Sequence, residues 1–176
     1  MSVLDLGCGN GKLVSGLPSG VEYIGTDFSR TLIDEAKKLY PKHDFRLGDV
    51  VDKSHWQHLG KYDAIYCVAV LHHIGDPKEQ TYVLSQCKQH LKNNGFLYLT
   101  VWNLWQEKFL QYQVDDHFEI PYNHTYTRYC VSYDVANMTK LMTEAGFENI
   151  EIFFADREGK KVDILSGENM VVVGTG

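Results

Sequence analysis

The chain lacks a C-x-x-C pair, a long apolar run and an excess of basic residues, and each absence removes a class of function. Its four cysteines, Cys8, Cys67, Cys87 and Cys130, lie far apart. They read as reduced thiols of a cytoplasmic protein, with Cys8 and Cys67 as small buried hydrophobes, and not as a disulfide framework or a zinc site. A membrane-spanning helix needs about 20 consecutive apolar residues, and no run approaches that, so no membrane partner is expected. No secretory leader is read ahead of the first strand. Lysine and arginine total 17 against 23 aspartate and glutamate, a net charge of −6. A protein that grips nucleic acid unaided usually carries a basic face. The basic groups at Lys37, Lys38, Lys42, His43 and Arg46, and at Arg157, Lys160 and Lys161, read as solvated surface. There are no repeats or low-complexity stretches, and 176 residues suffice for one domain with a sizeable core.

What is present begins at the first strand. Val3-Leu4-Asp5-Leu6-Gly7-Cys8-Gly9-Asn10-Gly11 is an apolar run ending in a glycine-rich turn. Tyr23-Ile24-Gly25-Thr26-Asp27 is a second run ending in an acid. Glycines let the backbone turn tightly and let a ligand approach it. An acid at the tip of the next strand can accept from a ribose diol. A dinucleotide site wants G-x-G-x-x-G facing a pyrophosphate. Here Asp5 precedes the turn, and a carboxylate there disfavours phosphate and suits a cation such as an amino group or sulfonium.

The rest of the chain alternates strand and helix. Strands are expected over residues 3–6, 21–26, 44–47, 62–68 and 96–102, and a last pair over 147–155 and 169–173. Helices are expected over 12–17 (short), 31–39 behind a Ser29 cap, 77–91 closed by Asn93-Asn94-Gly95, and from a cap at Ser132 or Asp134 to Ala145. The final linker is too short for a parallel crossover, so the last pair is antiparallel. Residues 103–131 interrupt the alternation. They carry Trp105, Phe109, Tyr112, Phe118, Tyr122, Tyr126 and Tyr129 among polar residues, and are placed to cap a site at the strand ends or to form a satellite core.

The block from Leu4 to Gly11 resembles motif I of the class I S-adenosylmethionine-dependent methyltransferases. The resemblance implies a Rossmann-like, doubly wound α/β fold with a mostly parallel seven-stranded sheet and an antiparallel final strand. It implies S-adenosylmethionine as cofactor, bound by Asp5, Gly7, Cys8, Gly9, Asn10 and Asp27. Phe28 would cover one face of the adenine. In Gly48-Asp49-Val50, Asp49 would accept from its amino group and Val50 would pack on its other face. That family runs the cofactor's methionine past the segment holding Val68 and Ala69. It usually has one or two helices before strand one. Here the sequence opens on that strand, which implies a shortened or compact form, or a lid from another chain.

Val70-Leu71-His72-His73 is similar to the branch labelled methyltransferase type 11. No metal site is expected there: neighbours on an extended segment point apart, and no acid sits at ligand spacing. One histidine is expected to orient the loop and the other, His73, to face substrate. A closer resemblance runs to the methyltransferases that finish carboxymethyl wobble uridine in tRNA. It is carried by D-x-G-C-G-N-G, A-V-x-H-H, Trp102, Thr127-Arg128-Tyr129, a helix ending A-G-F and a final G-x-N-x-V-V-V. It implies that His73, Trp102 and Arg128 line the acceptor pocket. Asn103 after Trp102, and Cys130-Val131 after Tyr129, depart from that pattern, as does the lack of a basic segment ahead of strand one. The expected activity is esterification of that uridine's carboxylate, with a basic helper protein, or the basic N-terminal segment that the resembling enzymes carry, supplying phosphate contacts. Methylation of a small phenol or quinone precursor is the alternative enzyme, and a non-catalytic cofactor-binding subunit the alternative of another class.

Overall fold

A computed structural model describes residues 1–122 and 125–175. Asn123 and His124, inside the expected cap, and Gly176 lie outside the described residues. Five strands run parallel: β1 (Ser2–Leu6), β2 (Glu22–Asp27), β3 (Asp44–Leu47), β4 (Tyr62–Val68) and β5 (Leu91–Trp102). With β9 (Asn149–Ala155), β10 (Lys161–Val162) and β11 (Asn169–Thr175) they form one sheet in the order β10-β9-β11-β5-β4-β1-β2-β3. β11 lies antiparallel to both β5 and β9. The expected sheet is therefore present, extended at one edge by the two-residue β10.

Alternation along β1 explains how the sheet is covered. Val3 joins Tyr23, Ile33, Ala36 and Phe45 on the face under α1 (Arg30–Leu39). Leu4 and Leu6 point the other way, into the larger core. There they meet residues of α3 (Pro77–His90) and α5 (Val135–Glu144). Each such leucine or isoleucine, fully withdrawn from water, contributes about 1.5–3 kcal/mol. The caps fix where the helices begin. The Ser29 hydroxyl accepts from Leu32 N–H at 3.4 Å, Asp76 from Lys78 N–H at 2.8 Å ahead of Pro77, and Asp134 from Asn137 N–H at 2.7 Å.

Three features differ from the sequence expectation. A short helix, α2 (Lys53–Trp56), follows β3, buries Trp56 and is capped by Asp52. The helix expected over 77–91 ends at His90, because Leu91 pairs with Tyr62 across a register shift in the β4–β5 ladder. Residues 103–131 hold the short helix α4 (Glu107–Leu110) and a separate antiparallel sheet of β6 (Gln113–Val114), β7 (His117–Tyr122) and β8 (Tyr126–Cys130). Leu104, Phe118, Ile120 and Cys130 give that sheet its own small core. Among the described residues no helix is long and apolar enough to cross a membrane.

Candidate functional site

β1 and β4 are neighbours whose following elements lie on opposite sides, so a crevice opens at their carboxyl ends. The turn after β1 forms one wall. Gly7 has φ +66°, and a Cβ there would sit 2.3 Å from Val70 Cγ2, so both backbone and space demand glycine. Gly9, at φ +54°, aims its N–H at the Asp27 carboxylate (2.9 Å). Ser29 N–H donates to the other oxygen (2.8 Å). Each Asp27 oxygen thus holds one backbone donor, and an ionised carboxylate retains further lone pairs for a ligand.

The crevice holds a cavity of about 400 Å³ lined by Gly7, Asp27, Phe28, Asp49, Val50, Ala69 and His73, among others. Phe28 is 77% exposed and also borders a neighbouring cavity of about 590 Å³ beside Arg46 and His55. An aromatic ring left in water at a cavity mouth is a surface for a flat apolar partner. Asp49 accepts from Val51 N–H through one oxygen (3.1 Å), which holds its turn and leaves the other oxygen open. Ala69 sits at φ +56°, an unfavourable conformation for a residue with a side chain. Its N–H is held by both the carbonyl (3.0 Å) and the hydroxyl (3.1 Å) of Thr100 on β5. Thr100, Val51, Ile74, Gly75 and Glu79 join the site or its support without a sequence signal.

Other anticipated cofactor residues face elsewhere. Asp5 is buried on the α1 side and accepts from the Tyr23 hydroxyl at 2.7 Å. Gly25 makes this reach feasible, since a Cβ there would lie 2.7 Å from that hydroxyl. Burial pushes the Asp5 carboxyl up to about 7, against the lowering effect of the Tyr23 bond. Asp5 is thus a structural partner of Tyr23 rather than a lining residue. Cys8 packs into the same face, its thiol pushed up to about 12 by burial. The Asn10 amide donates to Glu35 on α1 at 3.0 Å. Val68 ends β4 outside the cavity lining.

The post-β4 segment corrects the reading of the two histidines. Leu71–His73 is a 3₁₀ turn, not an extended strand, so the rings of His72 and His73 do not point apart and lie 4.2 Å centre to centre. His72 is fully buried, its ring 4.9 Å from that of Trp102, with no hydrogen-bond partner on either nitrogen. Burial, then His73 and Arg128, depress its pKa strongly. His73 borders the cavity, 5.6 Å from the Trp102 ring, with Nδ1 3.2 Å from the Tyr129 carbonyl and 3.6 Å from Cys130 Sγ. Its pKa is lowered, chiefly by partial desolvation of the ring, which favours the neutral imidazole. Arg128 lies over Tyr122 (3.6 Å) and 6.0 Å from the Trp102 ring centre. The three anticipated acceptor-side residues, His73, Trp102 and Arg128, are therefore neighbours, although they come from the 3₁₀ turn, β5 and β8. Asn103 serves structure: its amide donates to the carbonyls of Ile164 and Gly167 at 2.6 and 2.8 Å.

A family model described as a methyltransferase domain matches residues 1–152. A tRNA (carboxymethyluridine(34)-5-O)-methyltransferase of Arabidopsis thaliana is 32% identical over 105 residues, covering 60% of this chain and 25% of that protein. A ubiquinone biosynthesis O-methyltransferase of Actinobacillus pleuropneumoniae is 31% identical over 109 residues, covering 57% of this chain and 45% of the relative. The chain thus spans less than half the length of either. A crystal structure of an S-adenosylmethionine-dependent methyltransferase from Clostridium acetobutylicum superposes with a TM-score of 0.75 at 18% identity, covering 99% of this chain and 84% of that one, a likeness of fold.

Proposed function

The chain belongs to the methyltransferase domain family, and from that premise we propose that it transfers a methyl group from S-adenosylmethionine to a carboxylate on a modified wobble uridine of tRNA. When bound, the cofactor supplies a methyl group made electrophilic by its sulfonium. The residues present fit it. Asp27 offers unused lone pairs to a ribose diol, Phe28 and Val50 offer apolar faces to a base, and Asp49 has one open oxygen for an exocyclic amine. Gly7 and Ala69 give the backbone close approach between them.

The single observation behind the acceptor is the grouping of Arg128 and Trp102 with His73, the one of the three that lines that cavity. The planar fork of Arg128 can hold a carboxylate through two parallel bonds. A carboxylate is already ionised and needs no base, so these side chains act by alignment and by excluding water. The β6–β8 sheet is the cap over the acceptor. With the chain's net charge of −6, a basic helper protein supplies the phosphate contacts.

A second reading, O-methylation of a small phenol, is favoured by neutral His73, which can accept a phenolic proton. The deciding experiment offers radiolabelled cofactor with tRNA bearing free carboxymethyluridine and, separately, with small phenols. Label in the tRNA as a base-labile ester is the expected result. Label confined to phenols, with tRNA untouched even when basic partners are added, overturns the tRNA reading.

A further inference from the structure

We propose that His72, His73 and Cys130 form a zinc(II) site that clamps the β7–β8 hairpin to the turn after β4. Their ligand atoms all lie within 4.8 Å of one another, the only such grouping of three among the described residues. A tetrahedral ion with Zn–N of about 2.0–2.1 Å and Zn–S of about 2.3 Å needs ligand atoms about 3.3–3.6 Å apart. Cys130 Sγ and His73 Nδ1 already stand at 3.6 Å. His72 closes the triangle with a small ring movement.

A second observation is independent of that spacing. His72 is fully buried, and both its ring nitrogens lack any hydrogen-bond partner. An imidazole always carries at least one N–H, and burying it unpaired costs about 1–3 kcal/mol. The surroundings offer rings, Trp102 and His73, rather than acceptors. A metal ion satisfies one nitrogen and explains why a polar ring sits there. The local frame is fixed as well: Val131 N–H donates to the His72 carbonyl at 2.7 Å, so β8 already docks on the turn.

The donor set selects the ion. Two imidazoles and a thiolate suit zinc, and the absence of oxygen donors disfavours magnesium and calcium. On binding, the Cys130 thiol releases its proton to solvent and forms the Zn–S bond, while His73 Nδ1 gives up its bond to the Tyr129 carbonyl for the metal and its ring proton moves to Nε2, so that this ring accepts no substrate proton while zinc is bound. The thiolate offsets part of the positive charge that zinc adds near Arg128. Three protein ligands leave one position for water or a ligand. Cys130 belongs to the small core of the β6–β8 sheet, so the ion links that core to the main one.

The test is titration of metal-free protein with cobalt(II), followed by zinc. The expected result is one equivalent bound with an intense thiolate-to-cobalt charge-transfer band, which zinc bleaches. Zinc at a hundredfold excess over its dissociation constant should also raise the melting temperature by roughly 5–10 °C. Cys130→Ser should abolish the band and weaken zinc by more than the roughly 10–100-fold lost with an outer-shell partner. Cys87→Ser, in the main core, should keep it. His73→Gln, at the cavity edge, gives the same reading as Cys130→Ser if the buried substitution impairs folding. A pale octahedral cobalt spectrum in the wild type, or a band that survives both Cys130→Ser and His73→Gln, overturns the proposal.

Discussion

The two halves of the crevice are built differently. The half at the ends of β1 to β3 is held by backbone: Cys8 N–H to Thr26 carbonyl, Gly48 N–H to Asp27 carbonyl, and Gly9 and Ser29 N–H to the Asp27 carboxylate, all at 2.8–3.0 Å. The half near β8 is held mainly by ring packing of His72 on Trp102 and Arg128 on Tyr122, with few hydrogen bonds to the turn after β4. Backbone geometry has little room to vary, whereas packed rings tolerate exchange for others of similar volume. The first half thus suits a part that must stay constant, and the second a part that differs between relatives whose named substrates differ, as the tRNA and ubiquinone enzymes do.

The largest expected effect breaks the rigid half. Gly7→Ala places a methyl group 2.3 Å from Val70 Cγ2 at φ +66°. The left-handed backbone costs about 1–2 kcal/mol and the clash about 1–3 kcal/mol more. Urea unfolding should show a loss of roughly 2–5 kcal/mol, together with loss of S-adenosylhomocysteine binding by calorimetry. Adding Val70→Ala should recover the clash but not the backbone share. Full recovery in the double variant would mean that the turn is not conformationally constrained.

Next comes Asp5, beneath the rigid half. Its folded pKa of about 7 lies above the ordinary carboxylate value, so the native state keeps a proton that the unfolded chain releases. Its contribution is fullest below about pH 4 and is lost as pH rises through 7, on the order of 2–4 kcal/mol. His72 acts in the opposite sense over part of this window, because its depressed pKa favours the native state as pH rises. The measurement is therefore a difference. Wild type should lose stability relative to Asp5→Asn between about pH 4 and 7, and parallel curves would show that burial does not hold the proton.

Asp27→Ala sharpens the comparison from the ligand side. It should weaken S-adenosylhomocysteine by about 1.5–3 kcal/mol, the worth of charge-assisted hydrogen bonds. It also strips the Gly9 and Ser29 N–H groups of their acceptor, so unfolding should shift by about 1 kcal/mol as well. Equal cofactor affinity in wild type and variant would remove Asp27 from the ligand contacts.

The same contrast governs how much was legible in the sequence. The strands, the caps at Ser29 and Asp134, the glycine turn and Asp27 depend on local chemistry and on short periodicities, and these can be read directly. The direction of Asp5 is not legible, because it is set by β1 alternation and by Tyr23 reaching across Gly25 from the next strand. The β6–β8 sheet was missed because its aromatic and polar residues show no clean alternation, and its register comes from pairs such as Phe118 with Cys130. The nearness of Cys130 to His73, 57 positions apart, arises only once β8 docks on the 3₁₀ turn. Grouping His73, Trp102 and Arg128 relied on resemblance, since nothing in their spacing brings them together.

The smallest expected effect separates the halves most cleanly. Arg128→Lys keeps the positive charge and loses the planar fork, and Lys lacks the flat face that now stacks on Tyr122. If Arg128 aligns a carboxylate acceptor, turnover should fall about tenfold, equivalent to about 1.4 kcal/mol of transition-state stabilisation. Cofactor affinity should remain unchanged, because Arg128 contacts only the β8 side of the crevice. The two readouts, labelled methyl transfer and calorimetry with S-adenosylhomocysteine, therefore diverge for this variant, whereas for Asp27→Ala they fall together. A drop in cofactor affinity with Arg128→Lys would show that the halves are coupled through the turn bearing His73. Undiminished transfer to the carboxylate would show that charge alone, and not the fork, recruits the acceptor.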